Sequence, residues 1–220
     1  MGVVQLDAYV LIMRGKDCLT FIDGLSTNKV TSTCTTVFTN SAAKIIDMVD
    51  VIDGDGYVAL IGHNPYKNDV VQHISTRILN QDISISDASS NNSVYLSTSD
   101  IDVPDSVTKC STFRGMLLVA PKNQPIDITM TEADFSEYRV ENMIPHQGFE
   151  ITPKHHPLAC GLGHLVHEAK GCYIGQEILA RMRSRGRQGR KLVKLPNPVN
   201  DDTTIGSKHS LAIVRSDVVK

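Results

Sequence analysis

The spacing of apolar and polar positions along the chain alternates between strand-like runs and helical repeats. Residues 8–13 (AYVLIM) are an apolar run that stops at Arg14-Gly15-Lys16, the pattern of a strand entering a turn. Asp17 then stands at a helix N-cap position ahead of Leu19, Phe21, Ile22 and Leu25. Residues 33–39 are β-branched and strand-like, and residues 44–52 form a second strand after a turn at Ser41-Ala42-Ala43. Asp53-Gly54-Asp55-Gly56 predicts a hairpin turn, because glycine and aspartate accept the positive φ such turns require, and residues 57–62 return as a third strand.

Asn64-Pro65 opens the next helix, since proline suits the first helical turn. Val70, Val71, Ile74, Ile78 and Leu79 then recur at helical spacing, which predicts a helix packed on the sheet. Short strands are expected at residues 83–85, 94–96 and 116–119, with the polar stretch 86–93 as an exposed loop. Thr131, with Asp134 three residues on, resembles a capping arrangement for a helix carrying Phe135, Tyr138, Val140 and Met143, which Pro145 ends. Residues 176–183 read as a helix, Pro196-Asn197-Pro198 as a linker and residues 210–214 as a last strand. The order β-α-β-β-β-α-β indicates α+β architecture with largely antiparallel strands. No internal repeat is visible.

Composition narrows the class. The 220 residues are 41% hydrophobic, 21% charged and 5% aromatic, an ordinary globular balance that argues against disorder, collagen and coiled coil. No apolar run reaches the roughly 18 residues of a membrane-spanning helix. The first residues lack the basic and apolar regions of a signal peptide, so the expectation is a cytoplasmic protein without membrane contact. Five cysteines (Cys18, Cys34, Cys110, Cys160, Cys172), an odd number without a CxxC, do not suggest a disulfide framework.

Charge is uneven. Residues 1–169 hold 11 Lys/Arg against 20 Asp/Glu, whereas residues 170–194 hold eight Lys/Arg against the single acid Glu177. A net +7 over 25 residues on an acidic body points to an anionic ligand or an acidic partner surface. Arg181, Arg183, Arg185, Arg187 and Arg190 lack the interleaved aromatics of a nucleic-acid groove, so nucleic acid is the least favoured ligand. Arginine forks suit carboxylates and phosphates of a small molecule better.

Within the same segment, Lys170-Gly171-Cys172-Tyr173-Ile174-Gly175-Gln176-Glu177 places a thiol between two glycines, beside a lysine and just ahead of a helix. That setting favours a reactive thiolate, against the alternative of a structural cysteine in a glycine-rich loop. Cys160, His164, His167 and Cys172 also form a C-x3-H-x2-H-x4-C pattern of metal-ligand residue types, although no standard finger has this spacing. His155-His156 could join or compete with that cluster. No GxGxxG, Walker-type loop, GxSxG or HExxH occurs.

The octapeptide KGCYIGQE, followed by Ala180-Arg181 and Arg185-Gly186, resembles the YgfZ family of folate-binding proteins, relatives of the glycine cleavage T-protein aminomethyltransferase. Thr27-Asn28, residues 40–49, Phe113-Arg114-Gly115, Arg139-Val140-Glu141 with Ile144-Pro145, and residues 211–215 are similar to successive family segments in the same order. The resemblance implies a ring of two ferredoxin-like antiparallel α+β subdomains with a small, shortened C-terminal β-barrel. Its folate-binding region would span residues 1–190, with a subdomain boundary near 80–90, and the barrel remnant residues 191–220.

The resemblance further implies tetrahydrofolate or a one-carbon derivative as cofactor. Glu141 would accept from the pterin edge, with Arg181, Lys170, Tyr173, Gln176 and Arg114 as further cofactor-binding residues. Cys172 would be the motif thiol, and an iron–sulfur client or assembly protein the partner. An aminomethyltransferase is the alternative, with Asp47 assisting transfer, but Met48 replaces the second member of the family's Asp-Asp pair. Metal capture by the Cys/His cluster is the second alternative. Lys29, Ala43 and Ala159 also depart from the family pattern, at its aspartate, hairpin glycine and glutamate.

Overall fold

The computed structural model describes residues 2–186 and 188–217. Its strands are β1 (Val3–Leu6), β2 (Ala8–Arg14), β3 (Cys34–Thr39), β4 (Ile45–Gly54), β5 (Tyr57–His63), β6 (Ser84–Asp87), β7 (Asn92–Ser97), β8 (Thr108–Thr112), β9 (Gly115–Pro121), β10 (Arg190–Pro196), β11 (Asp202–Ile205) and β12 (His209–Arg215). Its helices are α1 (Cys18–Leu25), α2 (Lys67–Ser75), α3 (Glu132–Asn142) and α4 (Gln176–Ser184). The sheets are ordered β1-β7-β9-β8, β3-β4-β5-β2-β6 and β10-β12-β11, and the pairs β1-β7, β7-β9, β8-β9, β4-β5, β2-β5, β2-β6, β10-β12 and β11-β12 are antiparallel. The expected α+β class with antiparallel strands is therefore the observed one.

Two compact units divide the chain. One comprises Met1–Ile22, Val30–Thr35 and Val49–Glu132, and the other Asp23–Lys29, Thr36–Met48 and Ala133–Lys220. In the first unit, successive residues of β7 and β9 serve opposite faces, as the two-residue strand period dictates. Val94 and Leu117 pack with Val10, Ile52, Ala59 and Ile61, while Tyr95 and Leu118 pack with Val3, Val107 and Ala120. The second unit has its own core, in which Val37, Ile45, Met48, Val140, Cys160, Leu192 and Leu211 meet.

The DGDG turn forms as expected, with Gly54 opposite Tyr57 and Gly56 at φ 73°. Asp17 caps α1 through its backbone carbonyl, which accepts from Phe21 N, while its carboxylate turns to Asp82 N at 2.8 Å. Helix α2 is shorter than its apolar spacing predicts. The side chains of Ser75, Thr76 and Arg77 donate to the carbonyls of Val71, Gln72 and His73, which closes the last turn. Ile78 and Leu79 thus fall outside the helix, and Leu79 is 80% exposed.

Further expectations are corrected. Residues 86–93 are not one exposed loop, because β6 and β7 take both ends and β6 pairs along β2. Strands β1, β8, β10 and β11 carry too little alternation to stand out in the sequence; β1, β8 and β11 pair with longer strands and β10 with the equally long β12. Met143 follows α3 at φ 52° instead of continuing it. Where the resemblance implies a C-terminal barrel, the described residues form a three-stranded sheet and no closed barrel.

Candidate functional site

All the residues that carry the resemblance from Arg139 onward lie in the second unit, together with the hairpin at residues 40–44. The octapeptide is pinned at three points. Lys170 places its ammonium against Asp23 O (2.6 Å), Asp23 Oδ1 (2.9 Å), Ser26 O (2.9 Å) and Asn28 O (2.8 Å), and stands 5.4 Å from the Tyr173 ring centroid. A buried ammonium must be compensated this fully, since leaving it unpaired would cost several kcal/mol. Ile174 O accepts from Thr39 Oγ1 at 2.6 Å.

Gly175 adopts φ 86°, and a Cβ there would lie 2.8 Å from Asn40 O and 3.0 Å from Ala43 Cα, so only glycine fits without displacement. Ala43 itself sits at φ 58°, which gives a physical reason for a glycine at that hairpin position. Between the pinned points Gly171 and Cys172 are exposed, and Tyr173 is buried one residue later.

Tyr173 and α4 line a cavity of about 350 Å³, with Val166 and Leu179 as apolar wall and Gln176, Glu168 and Arg183 as polar groups. That volume lies at the lower end of small-molecule sites. Arg183 closes one side, donating to Val166 O at 2.9 Å and Gly163 O at 2.8 Å, with Glu168 Oε1 at 3.3 Å. Arg181 is exposed on α4, and Arg187 lies outside the described residues.

The Arg139-Val140-Glu141 segment divides its charges between interior and surface. Arg139 is buried and pairs with Glu150 (Nη1 to Oε2, 3.0 Å), a residue the sequence analysis did not single out. Glu150 also accepts from His146 N, Thr203 Oγ1 and Thr204 Oγ1, so both carboxylate oxygens are satisfied. Phe149 and Phe135 stand 4.7 and 5.6 Å from the Arg139 guanidinium carbon. The spacing signals the burial of Arg139 alone, four residues after Phe135 on the buried face of α3. Glu141 is at the surface, its carboxylate 3.7 Å from Lys194 Nζ, which leaves it open to a ligand's N–H groups.

Asp47 is wholly buried in β4, with Oδ1 accepting from Met48 N at 2.8 Å. Arg114 belongs to the first unit, where its guanidinium pairs with buried Asp50, and Asp50 also accepts from Thr35 Oγ1 at 2.7 Å. The C-x3-H-x2-H-x4-C residues are not gathered as ligands. Cys160 is buried with its thiol on Glu150 O at 3.1 Å, burial pushes its pKa up to about 12, and Cys172 is exposed. His167 Nδ1 accepts from Ala169 N, and no group of three or more His, Cys, Asp or Glu suited to a metal occurs among the described residues. Cys160 and Cys172, the two ends of that pattern, thus stand in the core and at the surface.

The fold has a match among solved structures. The aminomethyltransferase T of the glycine cleavage system from Bartonella henselae superposes with a TM-score of 0.76 over 98% of this chain and 78% of that one, at 11% identity. This is the T-protein fold. No protein-family model matches the sequence, and no curated protein matches it significantly. Among the described residues no helix is long and apolar enough to cross a membrane.

Proposed function

We propose that the protein binds a tetrahydrofolate and acts through Cys172 as an accessory factor for iron–sulfur proteins. The observation that carries this reading is the built loop of the octapeptide: Cys172 is exposed while its neighbours Lys170, Tyr173 and Gly175 are fixed by the Asp23–Asn28 segment and the hairpin. A structural cysteine would be buried, as Cys18, Cys110 and Cys160 are. Lys170 acts as the residue that positions the loop, since its donors all meet protein acceptors.

The residues suit a folate. Glu141 offers an accessible carboxylate to the paired N–H groups of a pterin, Tyr173 and Gln176 supply an apolar wall and an amide, and Arg181 offers an uncommitted fork to tail carboxylates. When bound, tetrahydrofolate supplies nitrogen atoms that carry one-carbon units. Calorimetry with tetrahydrofolate and with its 5-formyl derivative tests the ligand. Saturable binding weakened about tenfold in Glu141→Gln is expected. No heat at millimolar ligand overturns the folate part. Loss of iron–sulfur enzyme activity in cells carrying Cys172→Ser, with folate binding intact, tests the client part.

The T-protein fold favours a second reading, aminomethyl transfer to tetrahydrofolate, with Asp47 as the electrostatic partner of the transferred group. Methylene-tetrahydrofolate formation lost in Asp47→Asn and retained in Cys172→Ser would select it over the first.

A further inference from the structure

The second unit holds another concavity, of about 480 Å³, that shares no lining residue with the cavity beside Tyr173. Three separate stretches of chain converge on it: Lys44 at the end of the hairpin, Lys154-His155-His156 ahead of a 3-10 turn at Pro157–Cys160, and Gln188-Gly189-Arg190 entering β10. Five of these side chains are cationic or can become so, and no carboxylate lines the site. None of Lys44, Lys154 and Arg190 has a carboxylate partner among the described residues.

The arrangement is built, not a chance grouping of surface lysines. His155 O accepts from Ile45 N at 3.0 Å, and Lys44 Nζ donates to Lys154 O at 2.7 Å, which ties the hairpin to the histidine loop. His156 is buried and bridges to the third stretch: its Nδ1 accepts from Ala159 N at 3.2 Å, so Nε2 carries the proton donated to Gln188 O at 3.2 Å. Both ring nitrogens are thereby occupied, and burial lowers the pKa of His156. His155 is half-buried and its pKa is lowered first by burial and then by Lys44, Arg190, His156 and Lys154. Each of those groups lines the same concavity as His155, and an anion among them would reverse that repulsion.

We propose that this pocket is an oxyanion site for a small molecule bearing phosphate or carboxylate groups, held by Lys44, Arg190 and His155 with Lys154 at the rim. Unpaired cations gathered around one concavity raise each other's free energy, and a bound oxyanion with charge-assisted hydrogen bonds to Lys and Arg relieves it. The volume exceeds a bare phosphate and suits a phosphorylated or polycarboxylic metabolite. The inference is independent of the folate reading, because none of its residues contributes to that site.

NMR titration of the full chain, without folate, with inorganic phosphate and separately with citrate at constant ionic strength tests the proposal. A saturable shift of the His155 ring resonances, with the His63 resonances unchanged, is expected for at least one of the two. Phosphate alone marks a phosphorylated ligand and citrate alone a polycarboxylate. Lys44→Gln and Arg190→Gln should each weaken binding about tenfold, the loss of one charge-assisted contact. Lys154→Gln, at an exposed position, serves as the variant least able to disturb folding and should weaken binding less. Shifts that are absent, that rise linearly without saturation, or that persist unchanged in the Lys44→Gln/Arg190→Gln double variant overturn it. Folate calorimetry on that double variant separates the two readings, since folate binding should be unchanged.

Discussion

Arg139 and Glu150 form an ion pair with side chains 1% and 0% exposed, 3.0 Å apart. Desolvating both charges costs several kcal/mol each, and the pair holds only because Thr203, Thr204 and His146 N complete its hydrogen bonds. Glu150→Ala leaves the guanidinium buried without its counter-charge and is expected to cost about 3–5 kcal/mol in urea denaturation. The Arg139→Met/Glu150→Leu double variant should be more stable than Glu150→Ala alone, because no uncompensated charge remains.

The thiols should differ sharply in reactivity. Burial pushes Cys110 up to about 11 and Cys160 up to about 12, and it raises Cys18 as well. Cys172 is the exposed one, with Cys34 half-buried. Iodoacetamide at pH 8 followed by peptide mass spectrometry should find Cys172 alkylated first, and Cys172→Ser should remove the fast phase.

Acid sensitivity has a named contributor in His73, which is 6% exposed and whose pKa burial lowers to about 4. The unfolded chain binds that proton near the ordinary value of about 6.5, so protonation favours the unfolded state between these values. The neutral ring's contribution is complete above about pH 6.5 and falls as pH drops toward 4, by on the order of 3 kcal/mol in all. Thermal melts from pH 7 to 4 should show a shallower decline in His73→Gln than in the parent chain.

Gly175→Ala tests the anchoring of the thiol loop. The added methyl meets Asn40 O and Thr39 Oγ1 at under 3 Å in a left-handed backbone, a strain of about 1–3 kcal/mol. Reduced stability with a changed Cys172 alkylation rate is expected. A variant with parental stability and rate would show that the hairpin does not hold the loop.

What the sequence revealed follows the range of the interactions involved. Asp53-Gly54-Asp55-Gly56 and residues 176–183 declare their structure through local turn and helix chemistry, and both form nearly where expected. Ile78 and Leu79 continue an apolar period but fall beyond α2, because the side chains of three hydrophilic residues captured its final carbonyls. The exposed Cys172 was legible as a residue of interest from its glycine neighbours. Glu150 was not, since Thr203 and Thr204, which satisfy one of its carboxylate oxygens, lie 53 and 54 residues further on. Lys44 meets the Lys154 carbonyl, just ahead of the doubled histidines, across 110 residues, a contact no local pattern announces, so His155-His156 read only as metal-ligand types.

The Lys170 strut to Asp23 joins residues 147 positions apart. At ribosomal speeds of about 5–20 residues per second, the Asp23–Asn28 segment must wait on the order of 10 seconds for its lysine to be synthesised. Until then the carbonyls of Asp23, Ser26 and Asn28 lack the cation that organises them, so the thiol loop is among the last parts of the second unit to mature. A nascent chain arrested before residue 170 would therefore carry the hairpin with the Asp23–Asn28 segment still unbraced by the lysine.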